Sequence, residues 1–273
     1  MGVFDLGERI AKMAGQPKVA LVLGAGSARG LAHLGVLQVL LENQIPIDLI
    51  VGSSMGAMIG TLYACGSDVY MLDKLVENMN TNLLFDVGVP NLGFMAGKRV
   101  SKFLELLTKR KTFADLDLPV AVVATDLITG QRVIIEEGPI AAAVRASISL
   151  PGIFVPVEKD DMLLVDGAVI DRLPVEVARL KGADLVIAVD VTYGPCRQTV
   201  IKNTMDVILN SLDIMGKHHF DTIMPHADIL IQPAVGHISP RELDRSREIV
   251  DLGRKAAERK IADIKIKLAA INE

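Results

Sequence analysis

The sequence predicts an α/β fold of three layers, a mainly parallel sheet flanked by helices, and three observations carry that prediction. Short uncharged runs of Val, Ile, Leu and Ala recur along the chain and end in glycine-rich turns. Stretches with helical apolar spacing follow the first two turns directly. The connections between them are only a few residues long, and strand–helix–strand–helix in that order implies parallel pairing.

In chain order, Lys18-Val-Ala-Leu-Val-Leu-Gly24 reads as a buried strand entering a turn. Residues 31–42 follow as a largely buried helix, with Leu31, Leu34, Leu37, Leu40 and Leu41 on one stripe and Val36 and Val39 beside it. Residues 43–46 end it at a proline. Ile47-Asp-Leu-Ile-Val51 is a second strand running into Gly52, and residues 55–65 are a second helix stopped at Gly66. The apolar runs 119–124, 132–135, 162–165, 185–191 and 229–231 supply further strands. Residues 68–112 are more polar and helical, a cap on the sheet or a lid. Residues 199–220 repeat apolar side chains at helical spacing, and 241–273 read as a charged terminal helix. The organisation expected is an N-terminal segment (1–17), a main α/β domain (18–195) that carries the motifs described below, and a helical extension (196–273) packed on it.

Composition narrows the function classes. Half of the 273 residues are hydrophobic but only 4% are aromatic, a mix that excludes disorder, collagen and coiled coil. Two distant cysteines, Cys65 and Cys196, exclude a disulfide scaffold and a multi-cysteine zinc site. A net charge of −4 leaves no overall basic footprint for nucleic acid, and so few rings leave no base-stacking platform. The first fifteen residues carry Asp5, Glu8, Arg9 and Lys12 and lack the apolar core of a signal peptide. Leu6 stands where N-myristoylation needs Ser or Thr. Residues 49–67 are uncharged and close to the length of a membrane span, but their glycines and serines fit a strand, a turn and a helix better. The cytoplasm is the expected compartment.

Three motifs carry chemistry. Gly52-Ser53-Ser54-Met55-Gly56 matches G-x-S-x-G between a strand and a helix. A serine on so sharp a turn stands clear of the sheet beside the electropositive start of the helix, and the flanking glycines permit the bend. The bland alternative is a small-residue turn for helix–sheet packing. Gly24-Ala25-Gly26-Ser27-Ala28-Arg29-Gly30, also between strand and helix, can turn backbone N–H groups toward an anion. That anion is either a nucleotide pyrophosphate or the oxyanion of a tetrahedral acyl intermediate. The spacing is one residue too long for G-x-G-x-x-G. Val165-Asp166-Gly167-Ala168 places an aspartate at a strand end. Among the histidines, His226 and His237 lie late enough in the chain to complete a Ser–Asp–His triad, but neither sits in a motif, and His33 reads as packing or capping.

Together these blocks resemble the patatin-like phospholipases, a family of serine acyl hydrolases. The resemblance spans about residues 19–191. Its markers are the glycine-rich segment running into Leu31-Ala-His-Leu-Gly-Val-Leu37, the turn around Ser54, Arg145-Ala-Ser-Ile-Ser-Leu-Pro-Gly-Ile-Phe-Val-Pro-Val157, and Asp166-Gly-Ala168 followed by Leu173-Pro-Val175. It implies a Ser–Asp dyad, with Ser54 as nucleophile, Asp166 as general base and the amides of residues 24–30 as oxyanion hole. A free aspartate near pKa 4 is a poor base for serine, so Asp166 must be desolvated and held in place. Ala25 and Ser27 depart from the family's consecutive glycines, and neither suits a position with positive φ. Arg29 is expected to orient the loop, to meet a phosphate head group, or to form a surface ion pair.

The implied substrate is a lipid ester, a phospholipid or lysophospholipid, with no cofactor required and no nucleic-acid partner. Membrane contact is expected to be transient, through the helix over 199–220 or the loop over 83–94, although core or dimer packing would also explain both. Two rivals stay open at this point: a nucleotide-binding module using residues 24–30, and a catalytically silent lipid-binding or regulatory protein.

Overall fold

The computed structural model describes residues 17–79, 86, 92–195, 201, 204–223 and 226–271. Residues 1–16 of the N-terminal segment, Cys196 and most of the 83–94 loop lie outside the described residues.

The first strand, β1 (Val19–Leu23), enters a 3₁₀ turn (Ser27–Leu31) that leads into α1 (Ala32–Glu42). The helix therefore begins with a tighter turn than the leucine spacing suggested. β2 (Leu49–Ser53) and α2 (Met55–Ala64) repeat the unit. Next come α3 (Val69–Asn78), β3 (Gly93–Met95), α4 (Lys98–Leu107), β4 (Val120–Asp126), β5 (Arg132–Ile135) and α5 (Ile140–Ser147). The chain continues through β6 (Gly152–Phe154), β7 (Val157–Lys159), β8 (Met162–Asp166), α6 (Val175–Leu180), β9 (Leu185–Val189), α7 (Thr204–Ile223), β10 (Ile229–Ile231), α8 (Ser246–Glu258) and α9 (Ile261–Ile271).

The main sheet runs β10–β9–β1–β2–β4–β8–β7, with β5 also paired to β4. Its β10 to β4 half is parallel, whereas β5, β7 and β8 are antiparallel. The runs at 132–135 and 162–165 thus form strands, but in the opposite direction to the first two. Side-chain alternation sorts the strands onto two cores. Val19, Leu21, Leu23, Ile50 and Val122 pack on one face with residues of α1, α2, α5 and α8. Ala20, Val22, Val51, Val123 and Ala188 pack on the other with α6 and Phe220 of α7. Helices cover both faces, which is why β1, β2, β4 and β9 are apolar at nearly every position.

The C-terminal region differs from the single helix expected. A 3₁₀ turn (Leu243–Arg245) precedes α8, and the ladder breaks where the Lys260 amide donates to the Ala257 carbonyl instead of continuing into α9. α8 lies against α1, burying Ile249, Val250, Ala256 and Ala257.

One detail of register positions the site. β5 occupies one edge of β4. Along the other edge, β2 pairs with residues 120–123 and then stops; antiparallel β8 takes over the same edge at residues 124–126. The carboxyl ends of β2 and β8 therefore meet head to head beside β4, Ser53 opposite Val123 and Asp166 opposite Ala124.

Candidate active site

Ser54 follows β2 immediately and precedes α2, with φ 54° and ψ −123°. A non-glycine residue is rarely held there, at a cost of order 1–3 kcal/mol, so surrounding contacts must enforce it. They do so from behind and from the side. A Cβ at Gly52 would lie 2.5 Å from the Ala57 Cα, and one at Gly56 would lie 2.1 Å from the Leu23 carbonyl oxygen, so α2 starts in contact with the sheet backbone. From the side, the Ser54 amide donates to Ser147 Oγ (2.9 Å), which in turn donates to the Val123 carbonyl (2.7 Å).

Asp166 ends β8 with its amide donated to the Ser149 carbonyl (3.0 Å) and its own carbonyl accepting from Thr125 Oγ1 (3.0 Å). Oδ1 accepts from the Ala168 amide (2.8 Å) in the 3₁₀ turn Gly167–Val169. Gly167 lies against Val123 and Ser53. Oδ2 accepts from Ser54 Oγ at 2.7 Å. Asp166 is 0% exposed and Ser54 6%. Burial raises the Asp166 carboxyl to about 6, against the opposing pull of the Ser54 hydroxyl, the Ala168 amide and the Arg172 charge.

The glycine-rich loop stands beside this pair, with most of its amides already used. Those of Gly24, Ala25, Ala28 and Arg29 donate to the carbonyls of Val189, Arg172, Pro240 and Gly26. Gly30 lies within the 3₁₀ turn against the Met55 side chain. Gly26 and Ser27 have no amide partner among the described residues, and both line a small polar cavity with Ser54, Asp166, Arg172 and Thr192. The expectation of seven contributing amides thus narrows to two, because those of Gly24, Ala25 and Ala28 are tied to carbonyls elsewhere in the fold and that of Arg29 bonds within the loop. Ser27 has φ 50°, so the departure noted at this position falls on left-handed backbone; Ala25 does not.

Arg29 corrects its surface-pair reading. It is 5% exposed, donates Nε to the Ile238 carbonyl (2.6 Å) and Nη2 to the Gly236 carbonyl (3.3 Å), and has Nη1 3.9 Å from Asp213. It acts as an internal clamp. Arg172 meets Asp213 at 3.1 Å and presents its carbonyl to Ala25. His33 is fully buried and donates Nε2–H to the Gly24 carbonyl (2.7 Å); burial lowers it to about 4, so it is a neutral buttress. His237 binds Glu248, His226 lies 4.0 Å from Glu176, and neither lines the cavities at Ser54. The side chains of His218 and His219 lie outside the described set.

A second, apolar cavity of about 840 Å³ opens from Ser54. Met55, Met58, Leu72, Val76, Phe103 and Phe154 are among its lining, and only Ser27, Ser54 and Arg241 bring side-chain polar atoms. Of the stretch 68–112, side chains of α3, β3 and α4 form part of its wall. α7 turns Leu209 toward the cavity and leaves Val207, Ile214 and Met215 exposed. Sequence reasoning did not assign Ser147, Ser149, Thr125, Arg172 or Asp213. The first two lie in the 145–157 block, which was noted as a marker without a role.

Comparison with known proteins bears on the family and the fold. A family model described as patatin-like phospholipase matches residues 21–179. An uncharacterised NTE family protein of Mycobacterium tuberculosis is 38% identical over 186 residues, 66% of this chain and 52% of that protein. Patatin-like phospholipase domain-containing protein 6 of Homo sapiens is 35% identical over 191 residues, 67% of this chain and 14% of that protein. The chain thus spans about half the length of the mycobacterial relative and a small part of the human one. The crystal structure of VipD from Legionella pneumophila shares the fold, with a TM-score of 0.60 at 16% identity over 91% of this chain and 67% of that one. With the sequence blocks, the head-to-head strands and the family match in agreement, the chain belongs to the patatin-like phospholipase family.

Proposed function

We propose that the protein is a serine hydrolase of lipid carboxylic esters, a phospholipase or lysophospholipase, working through Ser54 and Asp166. The observation that carries this reading is the 2.7 Å hydrogen bond to a buried carboxylate from Ser54 Oγ, a residue that also lines an apolar cavity of about 840 Å³. Ser54 Oγ attacks the ester carbonyl as its proton passes to Asp166 Oδ2. The carbonyl oxygen becomes an oxyanion facing the Gly26 and Ser27 amides, with the Met55 amide at the start of α2 as a further donor. Collapse breaks the C–O bond, and Asp166 returns the proton to the leaving alcohol. Water then gives a proton to Asp166 and its oxygen to the acyl carbon, releasing the fatty acid and restoring the Ser54 hydroxyl.

With the Asp166 carboxyl at about 6, the group is ionised at neutral pH and more basic than a free aspartate. The acyl chain occupies the Met-rich aliphatic cavity, whose size is within the range of ligand pockets. In this reading residues 18–195 are the catalytic unit, the helices of 196–273 pack on it, and the protein works from the water phase against a lipid surface.

A fluorophosphonate should label the protein on the peptide carrying Ser54, and Ser54→Ala should abolish both labelling and hydrolysis of a short p-nitrophenyl ester. Labelling elsewhere, or full activity in the variant, would overturn the reading.

A further inference from the structure

α4 has two unlike faces. Val100, Phe103 and Leu107 turn into the apolar cavity. The opposite face presents Lys98, Arg99, Lys102 and Leu106, and Lys109 and Arg110 continue it beyond the helix end; all six are exposed. Residues 98–111 hold six cations and one acid, Glu105, in a chain whose net charge is −4. Lys98, Lys102 and Lys109 have no ion pair among the described residues. Asp86 is turned to the helix start, accepting from the Gly97, Lys98 and Arg99 amides. Leu106, 74% exposed, stands amid these cations, and Phe94, on the strand leading into α4, is 63% exposed.

We propose that this outward face of α4 docks the protein on an anionic lipid surface. Clustered Lys and Arg flanking exposed aliphatic and aromatic side chains are the chemistry that binds the head-group region of such a surface. An exposed leucine is not needed for an ion pair with a soluble acidic partner, but it gains by entering the acyl boundary. The same helix walls the cavity that Ser54 lines, so docking sets lipid against one wall of that cavity. That purpose rests on the proposed hydrolase reading, whereas the docking itself can be measured without it.

Ser54→Ala protein, which leaves the vesicles intact, should co-sediment with phosphatidylcholine–phosphatidylserine vesicles (about 7:3) and much less with phosphatidylcholine alone. Raising the salt should release it. Adding Lys98→Gln, Lys102→Gln and Lys109→Gln should weaken binding about tenfold or more, and Leu106→Ala alone several-fold. Circular dichroism checks the fold. The triple variant with Ser54 intact should keep short-ester hydrolysis within about twofold, because none of the three lysines lines the cavity. Equal binding to both vesicle types, undiminished binding by the triple variant, or capture of an acidic protein without vesicle binding would overturn the docking proposal. Absence of Ser54-dependent hydrolysis would overturn the hydrolase reading instead.

Discussion

In the turn after β2, the backbone is pinned by a helix pressed against the sheet and by one hydroxyl, Ser147 Oγ, on the Ser54 amide. In the turn after β1, the backbone is pinned by three amide bonds to carbonyls far along the chain, one local bond from Arg29 to Gly26, a buried histidine and a buried arginine. Each turn carries a serine on left-handed backbone, Ser54 at φ 54° and Ser27 at φ 50°. At Ser54 that geometry aims the hydroxyl at a carboxylate. At Ser27 no side-chain hydrogen bond rewards it among the described residues, and the exposed feature is the amide. Left-handed backbone alone therefore does not distinguish the two serines; what separates them is the partner brought to the Ser54 hydroxyl by another strand.

Removing that partner should have the largest effect. Asp166→Asn should lower kcat by about 10³-fold or more, read on a short ester. The same change tests the cost of the partner. A carboxyl raised on folding contributes stability below its unfolded pKa of 3.8 and loses it as the pH rises through about 6. Near pH 8 the buried charge therefore costs about 3 kcal/mol, which Asp166→Asn should recover in urea unfolding, while near pH 4 the gain should vanish. Wild-type kcat/KM should climb through a midpoint of about 6 as the base ionises. A flat profile over that range would remove Asp166 as base.

Ser147→Ala should come next. It strands the buried Ser54 amide and the Val123 carbonyl, at about 1–3 kcal/mol. As a positioning residue, Ser147 should show its loss as a drop in kcat of about 10- to 100-fold with KM little changed, partly restored by Ser147→Thr. A loss of stability with kcat unchanged would make it structural only. Ser27→Gly should be the smallest, a gain in stability of under about 1 kcal/mol with hydrolysis retained, seen as a small rise in Tm. A large loss of activity would mean that the Ser27 side chain does more than occupy its position.

Local pattern made much of this legible. The apolar runs became β1, β2, β4, β8, β9 and β10, because strands covered on both faces must be apolar at nearly every position. The G-x-S-x-G turn marked Ser54, because tight turns restrict which residues can stand there, whereas Asp166 became its candidate partner only through the family resemblance. Strand direction was not legible at 132–135 or 162–165, since an apolar run has the same composition whichever way it pairs. The break in the terminal helix was missed because helical spacing persists across residues 259–260 while the backbone ladder does not.

From the sequence alone came the class of fold, the elbow serine, the strand-end aspartate and the family resemblance, all properties of short windows. Only the tertiary structure decided that Ser54 and Asp166, 112 residues apart, share a hydrogen bond. That follows from β2 and β8 ending head to head on one edge of β4, and pairing of that kind is set by long-range packing. The tertiary structure likewise left two loop amides without a partner among the described residues, buried Arg29 as a clamp, and turned one face of α4 into the cavity and the other to solvent. Each depends on which distant carbonyl or side chain arrives, information that no single stretch of the chain contains.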